Sequence, residues 1–131
     1  MKQIQVVAAV IEHQGKYLCV QRGANKYDYI SKKWEFPGGK IEVQESAEDA
    51  LIREINEELS MEIFDLQFLL TVEHPYPDFH LTMHTYVCKT HQLEPTLHEH
   101  LQFAWKDSSD FQQLDWAAAD LPIVSKLMNQ P

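Results

Sequence analysis

The residues from Phe36 to Met61, FPGGKIEVQESAEDALIREINEELSM, decide how this chain is read. They set out a glycine pair, an acidic approach and one helix with carboxylates gathered on one side. Ser46 is a good N-cap, and Asp49 three residues on has the spacing of a capping box. From Ala47 to Leu59 the stretch is rich in helix formers and holds neither Gly nor Pro. At about 100° per residue, Glu54, Glu57 and Glu58 share one face. Leu51, Ile52, Ile55 and Leu59 fill the adjoining arc, so the helix buries one side and offers carboxylates on the other. Three like charges in one patch repel. Taken alone they read as a solvated acidic helix face; a hard divalent cation held by their oxygens would remove the repulsion, and Mg²⁺ is the usual ion where a substrate carries phosphates.

The glutamates do not stand alone. Gly38-Gly39, Glu45, Arg53-Glu54-Ile55 and Glu57-Glu58 occur at a spacing that resembles the Nudix box, G-x5-E-x7-R-E-U-x-E-E-x-G-U with U aliphatic. Gly39, Glu45, Arg53, Glu54, Ile55, Glu57, Glu58 and Met61 fill it, over about residues 39–61. Ser60 departs from it, standing where the family has Gly. A glycine there ends the helix with positive φ, so Ser carries a modest backbone penalty and touches none of the implied ligands.

Upstream, Ile4–Glu12 and Tyr17–Arg22 are β-rich and separated by Gln14-Gly15-Lys16, a predicted hairpin. Gly23–Lys33 reads as a surface loop, and Trp34-Glu35-Phe36 as a short strand leading to the glycine pair. Downstream, Leu66–Glu73, His80–Lys89 and Leu101–Lys106 read as strands. Ser109–Leu114 reads as a helical turn, and Asp120-Leu121-Pro122 opens a last helix with Val124, Leu127 and Met128 on its apolar side. Strands, helix, strands, helix argue for one α+β domain over residues 1–131 with a mixed sheet between helices. The resemblance sharpens this to the Nudix fold, an α/β/α sandwich.

Eleven basic against twenty acidic residues leave a net charge of −9, which disfavours binding to nucleic acid or anionic membrane. The longest apolar run, Val6–Ile11, is too short to span a bilayer, and no signal peptide is expected. Cys19 and Cys88 sit singly in apolar stretches and are expected as free thiols in a reducing cytoplasm. Seven histidines form no H-E-x-x-H, so no dedicated zinc site is expected.

The resemblance extends beyond the box. Trp34–Lys40, Pro77-Asp78-Phe79-His80 and Ala119-Asp120-Leu121-Pro122 are similar to segments of MutT-type members, which hydrolyse nucleoside triphosphates to monophosphate and pyrophosphate. It implies Glu54, Glu57, Glu58 and the Gly38 carbonyl as ligands of Mg²⁺, with Mn²⁺ a possible substitute, and Glu99 as a further acidic ligand. Glu54 and Glu99 are both candidates for the general base. Arg53, grouped with them, is expected to pair with Glu45 and hold helix to loop. Arg22 and Lys40 are the nearest cations for phosphate oxygens. For the base, Phe36 is either a stacking surface or core; Asp78 either accepts from a base or starts a turn; Asp120 either caps its helix or contacts the base. MutT-type oxidised-guanine hydrolases often have Asn at the position of Asp120, and cytidine triphosphate pyrophosphohydrolases have Asp.

The implied activity is nucleotide-pool sanitation and, through it, DNA repair. Substrates of the 8-oxo-dGTP type lead, and CTP or dCTP, including modified dCTP, stand second. A catalytically silent nucleotide-sensing or partner-binding domain is the rival, and a monomer or homodimer is expected.

Overall fold

A computed structural model describes residues 1–130. Its centre is strand β1, Lys2–His13, in which Val7 to Ile11 are all buried. Gln14 and Gly15 turn the chain with φ of 51° and 81°, as a tight hairpin requires, into β2, Lys16–Gln21. Strand β3, Trp34–Glu35, pairs with β2, and β4, Gly38–Lys40, pairs antiparallel with β1 through Ala8, Val7 and Val6. The glycine pair therefore lies in a strand rather than a free loop. Helix α1, Ala47–Leu59, is followed by β5, Ile63–Pro75, β6, Phe79–Thr90, and β7, Gln102–Lys106. Two short 3-10 turns, Ser108–Gln113 and Ala118–Asp120, lead to α2, Leu121–Met128.

The seven strands form one mixed sheet. Strand β6 runs parallel to β1 over nearly its whole length, whereas β2, β4, β5 and β7 pair antiparallel with their neighbours. One edge of β1 is shared by β4 near its start and β2 at its end.

Successive residues of β1 point to opposite faces, and the core divides accordingly. Val7, Ala9 and Ile11 pack with Leu18, Val20 and the α1 residues Leu51, Ile55 and Leu59. Ala8 and Val10 pack on the other side with Phe111, Trp116, Ile123, Val124 and Leu127. The expected α+β sandwich is what forms. Two arcs differ from the sequence reading. Ile52 and Met128 stay partly in solvent, at 43% and 37% exposed, and Ile123 takes the buried place on α2, because the turns of each helix that meet the sheet accept only part of the apolar stripe.

The Ser46 hydroxyl accepts the Asp49 amide at 3.1 Å. Ser60 takes the left-handed conformation at φ 54°, as a residue in the glycine position must, and its N–H reaches Asn56 O. Cys19 and Cys88 are free, buried on opposite faces of the sheet, and burial pushes both thiols up to about 12. Among the described residues no helix is long and apolar enough to cross a membrane.

Candidate active site

A cleft of about 870 Å³ starts at α1 and runs across the sheet. Glu54, Glu58, Glu99, Gly38 and Gly39 line one end; Tyr76, Phe79, Leu81, Met83 and Asp120 line the other, with Arg22, Glu35, Lys40 and His100 also on its wall.

The acidic end is organised by Arg53. Its Nε and Nη2 bind the two oxygens of Glu45 at 2.7 and 2.9 Å, and Nη2 also reaches the Lys40 carbonyl at 3.0 Å. Nη1 reaches Glu54 at 2.9 Å and Glu57 at 3.1 Å. The pairing of Arg53 with Glu45 expected from the sequence is present, and it holds the Glu45 carboxyl down at about 2. Arg53 does not line the cleft. Neither does Glu57, whose side chain is 60% exposed and turned toward Arg53.

Glu58 lies deeper. Its Oε2 is buried and makes no hydrogen bond, and its carboxyl is pushed up to about 9, first by burial, then by the charge of Glu54, then by Glu99 and Glu35. Glu99 lines the same cleft as Glu58. Gly39 is packed so closely that an added Cβ would fall 2.3 Å from the Glu54 carboxylate, and one on Gly38 would fall 1.9 Å from the Val7 carbonyl.

Among the described residues no three acidic or His/Cys side chains converge into a ready cation cage, and Arg53 occupies oxygens of Glu54 and Glu57. The donor set nevertheless fits a hard divalent cation. It is all oxygen, it carries excess negative charge, and the orphaned Glu58 Oε2 lacks a positive partner.

The other end is aromatic and apolar. Tyr76 on its wall continues a stack with Tyr29 and Tyr27, outside the cleft lining, with successive centroids 5.2 Å apart. Phe36 touches this space but offers it almost no ring surface. It is 2% exposed and stacks on Trp116 at 4.9 Å, with Phe111 edge-on at 6.0 Å, so its place is the core. Asp78 lies outside the cleft and accepts the Tyr29 hydroxyl, which takes it away from a base.

Asp120 is 4% exposed and makes no side-chain cap to α2. Its Oδ2 instead accepts the Phe36 amide at 2.9 Å. Burial, then the nearby charge of Glu35, raise this carboxyl well above the usual carboxylate range. Arg22 and Lys40 both line the cleft; Arg22 already pairs with Glu35 at 3.3 Å, and Lys40 has no ion-pair partner among the described residues.

Sequence reasoning missed Glu35, His100 and Tyr76. Glu35 Oε1 meets Arg22 and Oε2 meets His100 Nε2, each at 3.3 Å. A signal existed for Glu35: in an extended strand it must face away from its core neighbours Trp34 and Phe36. None existed for His100, whose contact depends on a loop packing onto β3.

The model of the NUDIX domain matches residues 6–126. The chain belongs to the Nudix family. This Nudix hydrolase is 34% identical to the CTP pyrophosphohydrolase of Escherichia coli K12 over 128 residues, 98% of this chain and 93% of that one. It is 28% identical to the 8-oxo-dGTP diphosphatase of the same organism over 127 residues, 97% of this chain and 98% of the relative. Its fold matches the crystal structure of a MutT Nudix hydrolase from Burkholderia pseudomallei with a TM-score of 0.83 at 24% identity, covering 97% and 99% of the two chains.

Proposed function

We propose that this Nudix hydrolase converts nucleoside triphosphates to monophosphate and pyrophosphate with Mg²⁺, as part of nucleotide-pool sanitation. The observation that carries the reading is one cleft joining an all-oxygen acidic end to an aromatic end that holds the buried Asp120 carboxyl. Glu54, Glu58, Glu99 and the Gly38 carbonyl would hold the ion, with Glu57 contributed from the same helix. Bound Mg²⁺ supplies positive charge against the phosphate oxygens and makes water more acidic, the two needs of attack on a phosphoanhydride.

The chain's own residues do the rest. Arg53 fixes the Glu54 carboxylate against α1, and Glu54 or Glu99 takes the proton from the attacking water. Glu58, with its carboxyl pushed up to about 9, already holds a proton at neutral pH in the metal-free protein and is not free to take one from water. Arg22 and Lys40 supply the remaining positive charge toward the phosphates. Phe79, half-buried on the cleft wall with Tyr76 packed beside it, provides the ring surface for the base in place of Phe36.

Nucleotides of the 8-oxo-dGTP type are the leading substrates. Cytosine nucleotides are a second reading, which rests on Asp120: its carboxyl accepts from the cytosine amino group and, when protonated, also donates to N3. The relative at 34% identity is a CTP pyrophosphohydrolase, which supports the same reading. Pyrophosphate release with Mg²⁺ on 8-oxo-dGTP, dGTP, CTP, dCTP and 5-methyl-dCTP, beside Glu54→Gln and Glu58→Gln, tests both. Turnover on none of them would overturn the assignment, and metal-dependent turnover lost in the variants excludes a silent sensor.

A further inference from the structure

Glu99 lies in a stretch with no regular secondary structure, between β6 and β7, yet the chain on either side of it is tied down. Thr96 N–H donates to Leu59 O at 2.8 Å and His98 N–H to Glu58 O at 3.2 Å, so the loop closes the carbonyl end of α1. Leu101 N–H donates to Gln21 O at 2.9 Å and fixes the far side to β2.

The two neighbours of Glu99 add side-chain ties in opposite directions. His98 Nε2 lies 2.8 Å from the Ser60 hydroxyl, at the helix end where the family pattern has glycine. His100 Nε2 donates to Glu35 Oε2 at 3.3 Å, on the strand that leads into the glycine pair.

The His100 bond has the marks of a tie kept for function. Its side chain is 5% exposed, and its Nδ1 is buried with no partner among the described residues. As packing, a histidine with an orphaned buried nitrogen is worse than a leucine. What the imidazole provides and leucine cannot is the link from the Glu99 loop to Glu35, which also holds Arg22. Ser60 fits the same pattern. It accepts left-handed strain that glycine would avoid, and its hydroxyl supplies the tie to His98.

We propose that His98 and His100 are positioning residues that clamp Glu99 from both sides, through Ser60 and Glu35, and hold it on the wall of the cleft that Glu54 and Glu58 also line. The clamp rests on the place given to Glu99 in the proposed site, and it serves Glu99 as ligand or as base.

The test compares His100→Leu, His100→Gln and Ser60→Gly, each alone and combined with Glu99→Gln. The readouts are kcat, KM and Mn²⁺ affinity of the nucleotide-free protein by paramagnetic resonance. His100→Leu should lower kcat and weaken Mn²⁺ binding about tenfold, as losing a partner behind a metal ligand does, with little change in KM. Gln, which keeps a donor near the Nε2 position, should recover most of that loss. Ser60→Gly should lower kcat about threefold, the scale of one neutral hydrogen bond, while its melting temperature holds or rises because the strain is relieved. That opposite movement cannot come from a merely structural role. In the Glu99→Gln background all of these losses should vanish.

Losses that persist undiminished in that background would overturn the clamp and leave the site intact. Unchanged kcat and Mn²⁺ affinity in both Ser60→Gly and His100→Leu would do the same. If Glu99→Gln alone changes neither turnover nor Mn²⁺ binding, Glu99 has no place in the site, and the proposed ligand set falls together with the clamp.

Discussion

The Phe36 amide donates to Asp120 Oδ2 at 2.9 Å, across 84 residues of sequence, and so joins the end of β3 to the start of α2. One carboxyl thereby satisfies a buried backbone N–H and stands on the wall of the cleft. Asp120→Ala leaves that N–H unpaired and should cost about 1–3 kcal/mol in chemical denaturation. Asp120→Asn keeps an acceptor for Phe36 and should cost less. Its effect belongs to the base: the kcat/KM ratio between 8-oxo-dGTP and dCTP should shift several-fold, and an unchanged ratio would remove Asp120 from base recognition.

Glu58 makes stability depend on pH and metal together. Its folded-state carboxyl titrates at about 9 against an ordinary 4.5, so the folded protein holds a proton that the unfolded chain has lost. Stability from this group is fully present below pH 4.5 and is lost as pH rises toward 9. The metal-free melting temperature should fall over that window, and Glu58→Gln should flatten the fall. Mg²⁺ binding should release a proton and stabilise more strongly at pH 8 than at pH 6, read by calorimetry in two buffers of different ionisation enthalpy.

Glu45 acts in the opposite sense. Arg53, then the Glu42 backbone, hold its carboxyl at about 2, below the ordinary 4.5. Its contribution is present above 4.5 and lost as pH falls toward 2. Glu45→Gln should lower the melting temperature at pH 7 and lose less on acidification than wild type. Equal acid limbs for the two proteins would show that the pair contributes nothing.

The glycine pair separates folding from chemistry. A Cβ on Gly38 meets the Val7 backbone at 1.9 Å, so Gly38→Ala must part β4 from β1 and should destabilise by about 3 kcal/mol or more. On Gly39 the Cβ meets the Glu54 carboxylate, the end of a side chain that can move. Gly39→Ala should therefore cost little stability and reduce kcat at least tenfold, checked by denaturation and steady-state rates on the same preparation.

The box residues were legible because they act locally. Helical spacing alone puts Glu54 and Glu58 together, Ser46 caps the first turn, and a residue in the position of Ser60 has to take positive φ to end the helix. The strands on either side were legible because a half-buried or buried strand must show its pattern in the chain. Contacts between distant segments carry no such pattern. Phe36 reads equally as ring surface or core until Trp116 and Phe111 close over it, and Asp120 reads as a helix cap until the Phe36 amide takes its oxygen. Asp78 is drawn away by a tyrosine 49 positions earlier, and His100 meets Glu35 across 65. The sequence by itself determined the family, the sandwich and the run of carboxylates on α1. Only the tertiary structure decided which of those groups face one cleft and which are held by Arg53, because burial and hydrogen bonding between remote segments depend on how the loops pack on the sheet.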